Sequence, residues 1–424
     1  MVRSRGGDPK AEIAPGAAWA SSLCQRGISS MSETYRLRAD HVVTPDGVIH
    51  DAVIDIVGDR LVSCEPAGTS PGSETTGMSA GSEPEHVAGW VVPGFVDVHV
   101  HGGGGCDYAT EDPLVAIEAR MFHAAHGTTV SLASLVTAKL EVLCRQISTI
   151  ADLVDGGYFD GIHLEGPFLS PAQRGAHKRS LLQTPDPGTV DQLIAAGRGH
   201  LKMVTIAPEL SGATAAITQF VDAGVRVAVG HTDADRDATA AALDAGATLA
   251  THLFNAMRSV HHREPGPVPL LLTDPRVGVE LIADRFHLHR DILRMTAAAA
   301  GSDRVLLITD AMAAAGRPDG EFALGGRKVR VRDGMARLVS KDGRPGPIAG
   351  STLTMAEAFE TMAGITGSIE IAAAMAATNA SRHLGLKGVG RIEAGGRADL
   401  CVVDDDGALQ RVMQAGRWLP GPES

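Results

Sequence analysis

The chain has 424 residues, of which 44% are hydrophobic and 21% charged, and its formal net charge is −12. This composition is typical of a globular protein with a large core and excludes a disordered or collagen-like chain. The negative charge argues against general binding to nucleic acid or to an anionic membrane surface, because both attract basic proteins.

The two ends of the chain predict a small β-domain. Residues 1–30 lack apolar periodicity, and we expect them to be an extension outside the folded domains. Short apolar runs separated by turn residues follow from Tyr35 and return near the C-terminus, which is typical of strands and hairpins. The sequence therefore predicts a β-sandwich domain built from residues 31–92 and 388–424.

The central part of the chain predicts an α/β fold, a (β/α)8 TIM-like barrel over residues 93–387. Helix-like stretches separate eight short apolar runs: FVDVHVH, TTVSLASLV, FDGIHLE, LKMVTIAPE, VRVAVGH, ATLATH, VGVELIAD and RVLLITDA. Such runs indicate parallel strands buried on both faces. An open doubly wound sheet is the alternative, but the glycine-rich dinucleotide fingerprint typical of it does not follow the first run. Alternation about Asp333 and Gly334 predicts a hairpin near 326–340.

Polar residues that can bind metal ions stand at the ends of these apolar runs. In the first run the side chains of His99 and His101 point to the same face, because successive strand residues alternate. In a barrel the strand ends converge, so we expect six side chains to meet. They are His99, His101, Glu165, His231, His252 and Asp310.

The chemical types of these six residues predict a divalent metal cofactor. Imidazole and carboxylate without thiolate suit zinc, and iron or manganese as alternatives. The sequence leaves open whether each subunit binds one ion or two; if there are two, Glu165 bridges them. Asp310 is either an ordinary helix N-cap or a general base beside a metal-activated water, which would indicate metal-assisted hydrolysis.

Two further segments have a functional and a structural interpretation. The basic segment from Arg258 to Arg263 follows His252 closely and could bind a phosphate group, or it could be a solvated loop. The glycines at 102–105 could form a flexible loop or one that yields to substrate. The neighbouring Cys106 is either close to the metals or a small buried apolar residue.

The ordered set of motifs resembles the amidohydrolase superfamily. The motifs are PGFVDVHVHGGGG, HLEGPFLS, VGHTDAD, THLFNAM and LLITDAM. HLEGPF followed by RGAHK, HLFNAM followed by REPG, and IAGSTLTM are similar, more narrowly, to the N-acetylglucosamine-6-phosphate deacetylase family. The resemblance extends from about Tyr35 to the C-terminus and leaves out the first 30 residues and the loop from Pro66 to Pro84.

The resemblance implies roles for the metal and catalytic residues. The primary metal site of the family corresponds to Glu165, His231 and His252. Its catalytic aspartate corresponds to Asp310, and the histidine that polarises the acetyl carbonyl corresponds to His177. One branch of the family has amide residues in place of the histidines of the first strand and holds one metal. Because this chain has histidines at both positions, it resembles the two-metal branch.

The resemblance also implies how substrate is bound. The sugar-binding histidine corresponds to His287, with His289 as a nearby competitor. The backbone of Asn255 and Ala256 would meet the phosphate, together with Arg263. In the family this arginine can come from the partner subunit, so a homodimer is implied.

Together these features predict a hydrolase that removes acetate from N-acetylglucosamine 6-phosphate to give glucosamine 6-phosphate, as in amino-sugar catabolism and cell-wall recycling. One alternative is another amidohydrolase, acting on a cyclic amide or on the galactosamine epimer, and a second is a non-catalytic subunit with the same fold. The five cysteines are scattered without a CxxC pair, and we find neither a targeting signal nor an apolar run of about 18 residues. We therefore expect a cytoplasmic protein.

Overall fold

The computed structural model describes residues 33–69, 83–340 and 342–421. The extension predicted at residues 1–30 lies outside these ranges, as does most of the polar loop between Pro66 and Pro84. Among the described residues, no helix combines the length and apolar character needed to cross a membrane.

The chain opens with four strands that belong to a sheet separate from the barrel. The antiparallel β1 and β2 are joined by a turn at Pro45 and Asp46, and β3 continues the meander. β4 returns to pair in parallel with β1. The strands are β1 (Thr34–Thr44), β2 (Gly47–Val57), β3 (Arg60–Pro66) and β4 (Glu85–Pro93).

The eight predicted barrel strands are all present. They lie side by side in the order β14-β13-β12-β11-β10-β9-β8-β5, and every neighbouring pair is parallel. The strands from this part of the chain are β5 (Phe95–Val100), β6 (Gly102–Gly103), β7 (Cys106–Asp107), β8 (Thr128–Val136), β9 (Gly161–Glu165), β10 (Leu201–Ile206), β11 (Arg226–Val229), β12 (Leu249–Ala250), β13 (Gly278–Ile282) and β14 (Val305–Ile308). The short β6 and β7 form a separate antiparallel pair.

One α-helix lies in each of the seven connections between barrel strands, and the connection between β9 and β10 also contains a short 3-10 helix (Arg179–Leu181). Several of these helices begin at an aspartate whose side chain accepts a hydrogen bond from a backbone N–H of the first turn, as Asp112, Asp186 and Asp235 do. The helices are α1 (Pro113–Ala125), α2 (Leu140–Asp155), α3 (Pro187–Gly197), α4 (Ala213–Asp222), α5 (Arg236–Asp244), α6 (Val268–Thr273) and α7 (Arg290–Ala300).

The barrel is closed between its last and first strands by hydrogen bonds at the carboxyl end. The backbone N–H of Asp310 donates to the carbonyl of His99 (2.8 Å), and the N–H of His101 donates to the carbonyl of Ala311 (2.8 Å). Because these bonds join the residue that follows β14 to those at the end of β5, closure also fixes three predicted site residues relative to one another.

A second small sheet follows the last barrel strand. Its strands are β15 (Gly320–Leu324), β16 (Arg327–Arg332), β17 (Met335–Val339) and β18 (Pro345–Ile348), all antiparallel. The hairpin expected near 326–340 corresponds to β16 and β17. Asp333 and Gly334 have positive φ angles of 51° and 74°, which suits the two-residue turn that joins these strands.

The C-terminal part returns to the first sheet after three α-helices, α8 (Met355–Thr366), α9 (Ile369–Ala373) and α10 (Asn379–Leu384), with a π-helical segment (Ala374–Thr378) between the last two. The last strands are β19 (Leu400–Val403), β20 (Leu409–Gln414) and β21 (Arg417–Trp418). They complete one seven-stranded sheet in the order β21-β20-β19-β4-β1-β2-β3, so the expectation of a β-domain drawn from both chain ends is confirmed.

The seven-stranded sheet curls around a core of its own. Leu37, Ile54, Leu61 and Leu400 belong to this core, and a bridge between Arg60 and Arg397 links distant parts of the sheet. The sandwich expected from the sequence is therefore formed by one continuous sheet that bends over itself. The boundaries at 92 and 388 stay a prediction.

Candidate metal centre and substrate cavity

The six predicted metal ligands converge at the carboxyl end of the barrel. His99 lies in β5 and His101 directly after it, while Glu165 is the last residue of β9. His231, His252 and Asp310 each follow a strand by two residues. All six side chains are buried. They form two groups: His99, His101 and Asp310, which we call the first-strand group, and Glu165, His231 and His252, which we call the glutamate group.

Glu165 connects the two groups. Its Oε1 lies 2.8 Å from His231 Nε2 and 3.1 Å from His252 Nε2. Its Oε2 lies 3.2 Å from His101 Nε2, which is also 3.1 Å from Asp310 Oδ1. A single carboxylate therefore faces ligands of both groups, as the bridging role predicted from the sequence requires.

The hydrogen bonds made by Nδ1 of the imidazole rings show that these side chains are suited to bind a cation through Nε2. His101 Nδ1 donates to the carbonyl of Ser134 (3.2 Å) and His231 Nδ1 to that of Gln173 (2.9 Å). A neutral ring whose Nδ1 carries the hydrogen presents a lone pair at Nε2. These lone pairs face carboxylate oxygens, which also only accept, so a positive charge between them is needed.

The pKa shifts report the same demand for positive charge. Burial opposes protonation of His101, but hydrogen bonds and charges from Asp310 and Glu165 raise its pKa to about 9. Burial also opposes ionisation of Glu165, yet the surrounding imidazoles hold its pKa well below the usual value. The site thus favours ionised carboxylates facing a cation, which a divalent metal supplies.

Three of the ligands adopt a backbone conformation that is unusual for residues other than glycine. His231, His252 and Asp310 have φ angles of 47°, 29° and 48°. This left-handed region is strained for side chains with a Cβ atom and is enriched at functional sites. Here it turns the chain abruptly after each strand and directs the side chain into the barrel mouth.

A cavity of about 450 Å³ opens above the ligands. Its volume falls within the range of ~300–1,000 Å³ that is common for small-molecule sites. The predicted substrate residues that line it are His177, Asn255, Ala256 and His287. The turn between β15 and β16 and residues 347–350 cover one side, so the second small sheet forms part of the cavity wall.

His177 lies next to the candidate metal ligands and lines the cavity. Its Nε2 lies 3.2 Å from Glu165 Oε2, and its Nδ1 lies 2.9 Å from the hydroxyl of Thr137. Thr137 also lines the cavity. Thr137 is absent from the sequence-based predictions, although it lies only one residue beyond a barrel strand.

The structure distinguishes between the two histidines that competed for the sugar-binding position. His287 lines the cavity and its Nδ1 pairs with Asp284 Oδ2 at 2.7 Å. His289 is exposed and accepts a hydrogen bond from the backbone N–H of Asp291 at the start of α7. Only His287 of the pair is therefore placed to contact a ligand in the cavity.

Among the predicted substrate-binding residues, Arg263 is the one that does not line the cavity. It is exposed and is not among the lining residues. Its backbone N–H donates to His261 Nδ1 (3.3 Å). Two other cationic side chains, Arg174 and Lys178, line the cavity and were missing from the predictions.

Residues 102–105 are packed tightly rather than forming a flexible loop. Gly104 and Gly105 donate backbone hydrogen bonds to the carbonyls of Ala315 and Ala313 (2.9 and 2.8 Å). A Cβ atom added at Gly103 would lie 2.5 Å from the Phe122 ring, which explains why glycine is needed there. The half-buried Cys106 does not line the cavity, so the structure favours packing over a role at the metals.

Comparisons with known proteins agree with this architecture. The amidohydrolase family profile matches residues 90–419. The chain is 36% identical to the N-acetylgalactosamine-6-phosphate deacetylase of Escherichia coli O157:H7, covering 92% of this chain and 98% of that protein. It is 34% identical to the N-acetylglucosamine-6-phosphate deacetylase of Lysinibacillus sphaericus, covering 77% and 85%.

Solved structures give the same result. The N-acetyl-D-glucosamine-6-phosphate deacetylase of Mycobacterium smegmatis, a variant in complex with N-acetyl-D-glucosamine 6-phosphate, superposes with a TM-score of 0.85 at 43% identity. That match covers 91% of this chain and 99% of the other. The Thermotoga maritima N-acetylglucosamine-6-phosphate deacetylase gives 0.78 at 29% identity, covering 89% and 97%. With its barrel, its converging ligands and these relatives, the chain belongs to the amidohydrolase family.

Proposed function

We propose that this protein removes acetate from N-acetylglucosamine 6-phosphate and releases glucosamine 6-phosphate. The observation that carries the proposal is the meeting of Glu165, His231, His252 and Asp310 at the floor of a cavity that His177 and His287 also line. The relatives and solved structures named above support the amino-sugar phosphate as substrate.

When bound, a divalent ion, zinc by preference, would supply a Lewis acid beside the acetamide carbonyl and would lower the pKa of water there. Glu165, His231 and His252 would hold one ion, and His99, His101 and Asp310 a second. Imidazole and carboxylate ligands also suit iron and manganese.

The remaining steps belong to side chains of this chain. The Asp310 carboxylate, at the cavity floor, takes a proton from the attacking water and passes it to the amine as the C–N bond breaks. His177 donates a hydrogen bond to the carbonyl oxygen, where negative charge develops during attack. His287, held by Asp284, binds a sugar hydroxyl.

The phosphate end of the substrate requires groups from two subunits. The backbone of Asn255 and Ala256 lines the cavity and provides one side of the site. Arg263 is exposed in its own chain, which suits an arginine that reaches the cavity of a partner. We therefore propose a homodimer in which Arg263 completes the partner's phosphate site.

The experiment is acetate release measured on purified protein whose metal content is quantified on the same sample. We expect turnover of N-acetylglucosamine 6-phosphate to exceed that of N-acetylglucosamine by at least tenfold. Absence of acetate release from either sugar by a metal-loaded sample would refute the proposal.

The galactosamine epimer is a second candidate substrate. The Escherichia coli O157:H7 relative is an N-acetylgalactosamine-6-phosphate deacetylase, and it matches nearly the full length of the chain. The two epimers differ at one hydroxyl, so the same assay with N-acetylgalactosamine 6-phosphate decides between them. We propose the gluco epimer as the better substrate, and a higher kcat/KM for the galacto epimer would reverse the assignment.

We also propose that the enzyme works in the cytoplasm. Cys64, Cys106, Cys144 and Cys401 are unpaired in the described part of the chain, which suits a reducing compartment. Fractionation of the native cells, followed by the deacetylase assay on each fraction, tests this location.

A further inference from the structure

A buried carboxylate that is not one of the six ligands lies directly behind the metal centre. Glu280 is the third residue of β13, in the apolar sequence GVELI, and its side chain has no exposure to solvent. A charged group is rarely buried in this way unless it has partners. Neither of the two ligand groups includes it.

One oxygen of Glu280 contacts both ligand groups. Oε2 lies 3.0 Å from His99 Nδ1 and accepts a hydrogen bond from the backbone N–H of His252 (3.2 Å). The other oxygen, Oε1, has no hydrogen-bond partner among the described residues. An ionised carboxylate can only accept hydrogen bonds, so the hydrogen between Oε2 and His99 belongs to the imidazole Nδ1.

This contact fixes how His99 faces the metal centre. With its hydrogen on Nδ1, the ring presents the lone pair of Nε2 towards Asp310 Oδ1 (3.6 Å) and Glu165 Oε1 (3.5 Å). A carboxylate behind a ligating imidazole makes the ring a stronger electron donor than a carbonyl does.

The other ligand histidines lack such a partner. His101 and His231 donate to the backbone carbonyls of Ser134 and Gln173. Nδ1 of His252 has no hydrogen-bond partner in the described ranges. The carboxylate therefore acts on the imidazole of one first-strand ligand, whereas its contact with the glutamate group is to the backbone N–H of His252 and not to a ring.

Charge balance points in the same direction. Two divalent ions would bring four positive charges into the barrel, and the ligands Glu165 and Asp310 supply two negative ones. Glu280 adds a third negative charge, and among the ligand side chains of the described residues it is hydrogen-bonded to the His99 ring alone.

We infer that Glu280 is a positioning residue that allows the first-strand group to hold an ion. It acts through His99, and the glutamate group binds its own ion without it. This inference rests on the proposed two-metal site.

The experiment measures zinc bound at equilibrium to the full-length protein across chelator-buffered zinc concentrations, with no sugar present. We expect two equivalents for the wild type. Glu280→Gln keeps the shape of the side chain and can still accept both hydrogen bonds, but it removes the charge. We therefore expect the weaker equivalent, which is the ion of the first-strand group, to bind about 10–100-fold less tightly. The tighter equivalent should be unchanged.

Glu209→Gln is the matched control. The Glu209 carboxylate also accepts two hydrogen bonds near the barrel mouth, but from Thr232 and Asp233 rather than from a ligand side chain. We expect two equivalents with wild-type affinities. Circular dichroism of each variant verifies that the fold is intact.

A double variant tests whether Glu280 acts through His99. If it does, His99→Asn combined with Glu280→Gln binds zinc no more weakly than His99→Asn alone. Wild-type affinities for both ions in Glu280→Gln would overturn the inference, as would loss of both ions or a single equivalent in the wild type. Because no substrate is used, failure here leaves the proposed deacetylation to be judged by acetate release.

Discussion

The histidines of the two ligand groups reach the same centre through different backbone geometry. In the first-strand group, His99 and His101 are spaced two apart along an ordinary extended strand, and alternation alone sends both side chains inward. In the glutamate group, His231 and His252 stand beyond their strands with positive φ angles. The comparison shows that regular structure can position metal ligands without strain, whereas ligands on loops depend on the contacts that hold the loop.

The contacts behind the two groups differ as well. A buried carboxylate supports His99, and the tightly packed glycine segment follows His101. His231 relies on the backbone carbonyl of Gln173, which belongs to a loop. We therefore expect the first-strand group to respond to changes in the barrel interior and the glutamate group to changes in the loops.

The largest expected effect comes from Asp310, the first-strand ligand assigned to proton transfer. Asp310→Asn should lower kcat for acetate release by about 10²–10⁴-fold, because the amide cannot act as a general base. Bound zinc should fall by no more than one equivalent, since the glutamate group is intact. Asp405→Asn, the same change at an exposed residue that accepts from Trp90, is the control. Near wild-type turnover in Asp310→Asn would contradict the assigned role.

Removal of the metal should lower the free energy of unfolding, and adding it back compares the two ligand groups. A ligand at about 1,000 times its Kd stabilises the native state by ~4 kcal/mol, so chelation should lower the free energy of unfolding by about this amount. Denaturant titration with and without chelator measures the loss. Re-added zinc should restore the glutamate group first. If chelation leaves the free energy of unfolding unchanged, the six side chains do not bind cations in the native state.

A smaller effect is expected from His123, which lies beside the first-strand group and should make the free energy of unfolding depend on pH. It is buried, and its Nε2 lies 2.8 Å from the carbonyl of Gly102, next to His101. Burial lowers its pKa to about 4, whereas the unfolded chain binds a proton near pH 6.5. Its contribution to stability is thus complete above pH 6.5 and is lost as the pH falls towards 4.

The expected loss is about 3 kcal/mol over this interval, from the difference in pKa. It is measured as the pH dependence of the free energy of unfolding in the wild type minus that in His123→Gln, both without metal. Parallel curves for the two proteins would show that His123 does not titrate in this way.

Arg263 should give the smallest effect. A charge-assisted hydrogen bond contributes ~1.5–3 kcal/mol, so Arg263→Ala should raise KM for the phosphorylated sugar about tenfold to hundredfold with little change in kcat. Arg294→Ala, an exposed arginine on α7, is the control. An unchanged preference for the phosphorylated over the unphosphorylated sugar would contradict the phosphate assignment.

Mixing variants tests the partner's contribution. In a heterodimer of Arg263→Ala and Asp310→Asn subunits, one site has its own Asp310 and receives Arg263 from the other subunit. Activity at low substrate should therefore recover on mixing. No recovery, with exchange of subunits verified, would place Arg263 outside the partner's site.

Much of the architecture could be predicted because strand periodicity is a local signal. Each of the eight apolar runs became a barrel strand, and the residues at their ends came together because a closed parallel barrel allows no other arrangement. The curl of the end-domain sheet was not predictable, since it depends on contacts such as Arg60 with Arg397, which are far apart in sequence.

The supporting residues escaped prediction for a related reason. Glu280 and Thr137 are isolated polar residues among apolar neighbours, and their hydrogen-bond partners, such as His99 and His177, are distant along the chain. A carboxylate in the middle of the apolar run GVELI was a usable signal for Glu280. For the segment 102–105 the sequence suggested a flexible loop, whereas the structure shows tight packing. Glycines that are required for close packing cannot be told by composition from those of a flexible loop.

The most direct test of the shared metal centre is an anomalous difference map from crystals of the zinc-loaded protein. We predict one peak bonded to Glu165, His231 and His252 and a second bonded to His99, His101 and Asp310, with Zn–N distances of ~2.0–2.1 Å. Zinc located elsewhere, in protein that still releases acetate, would contradict the account.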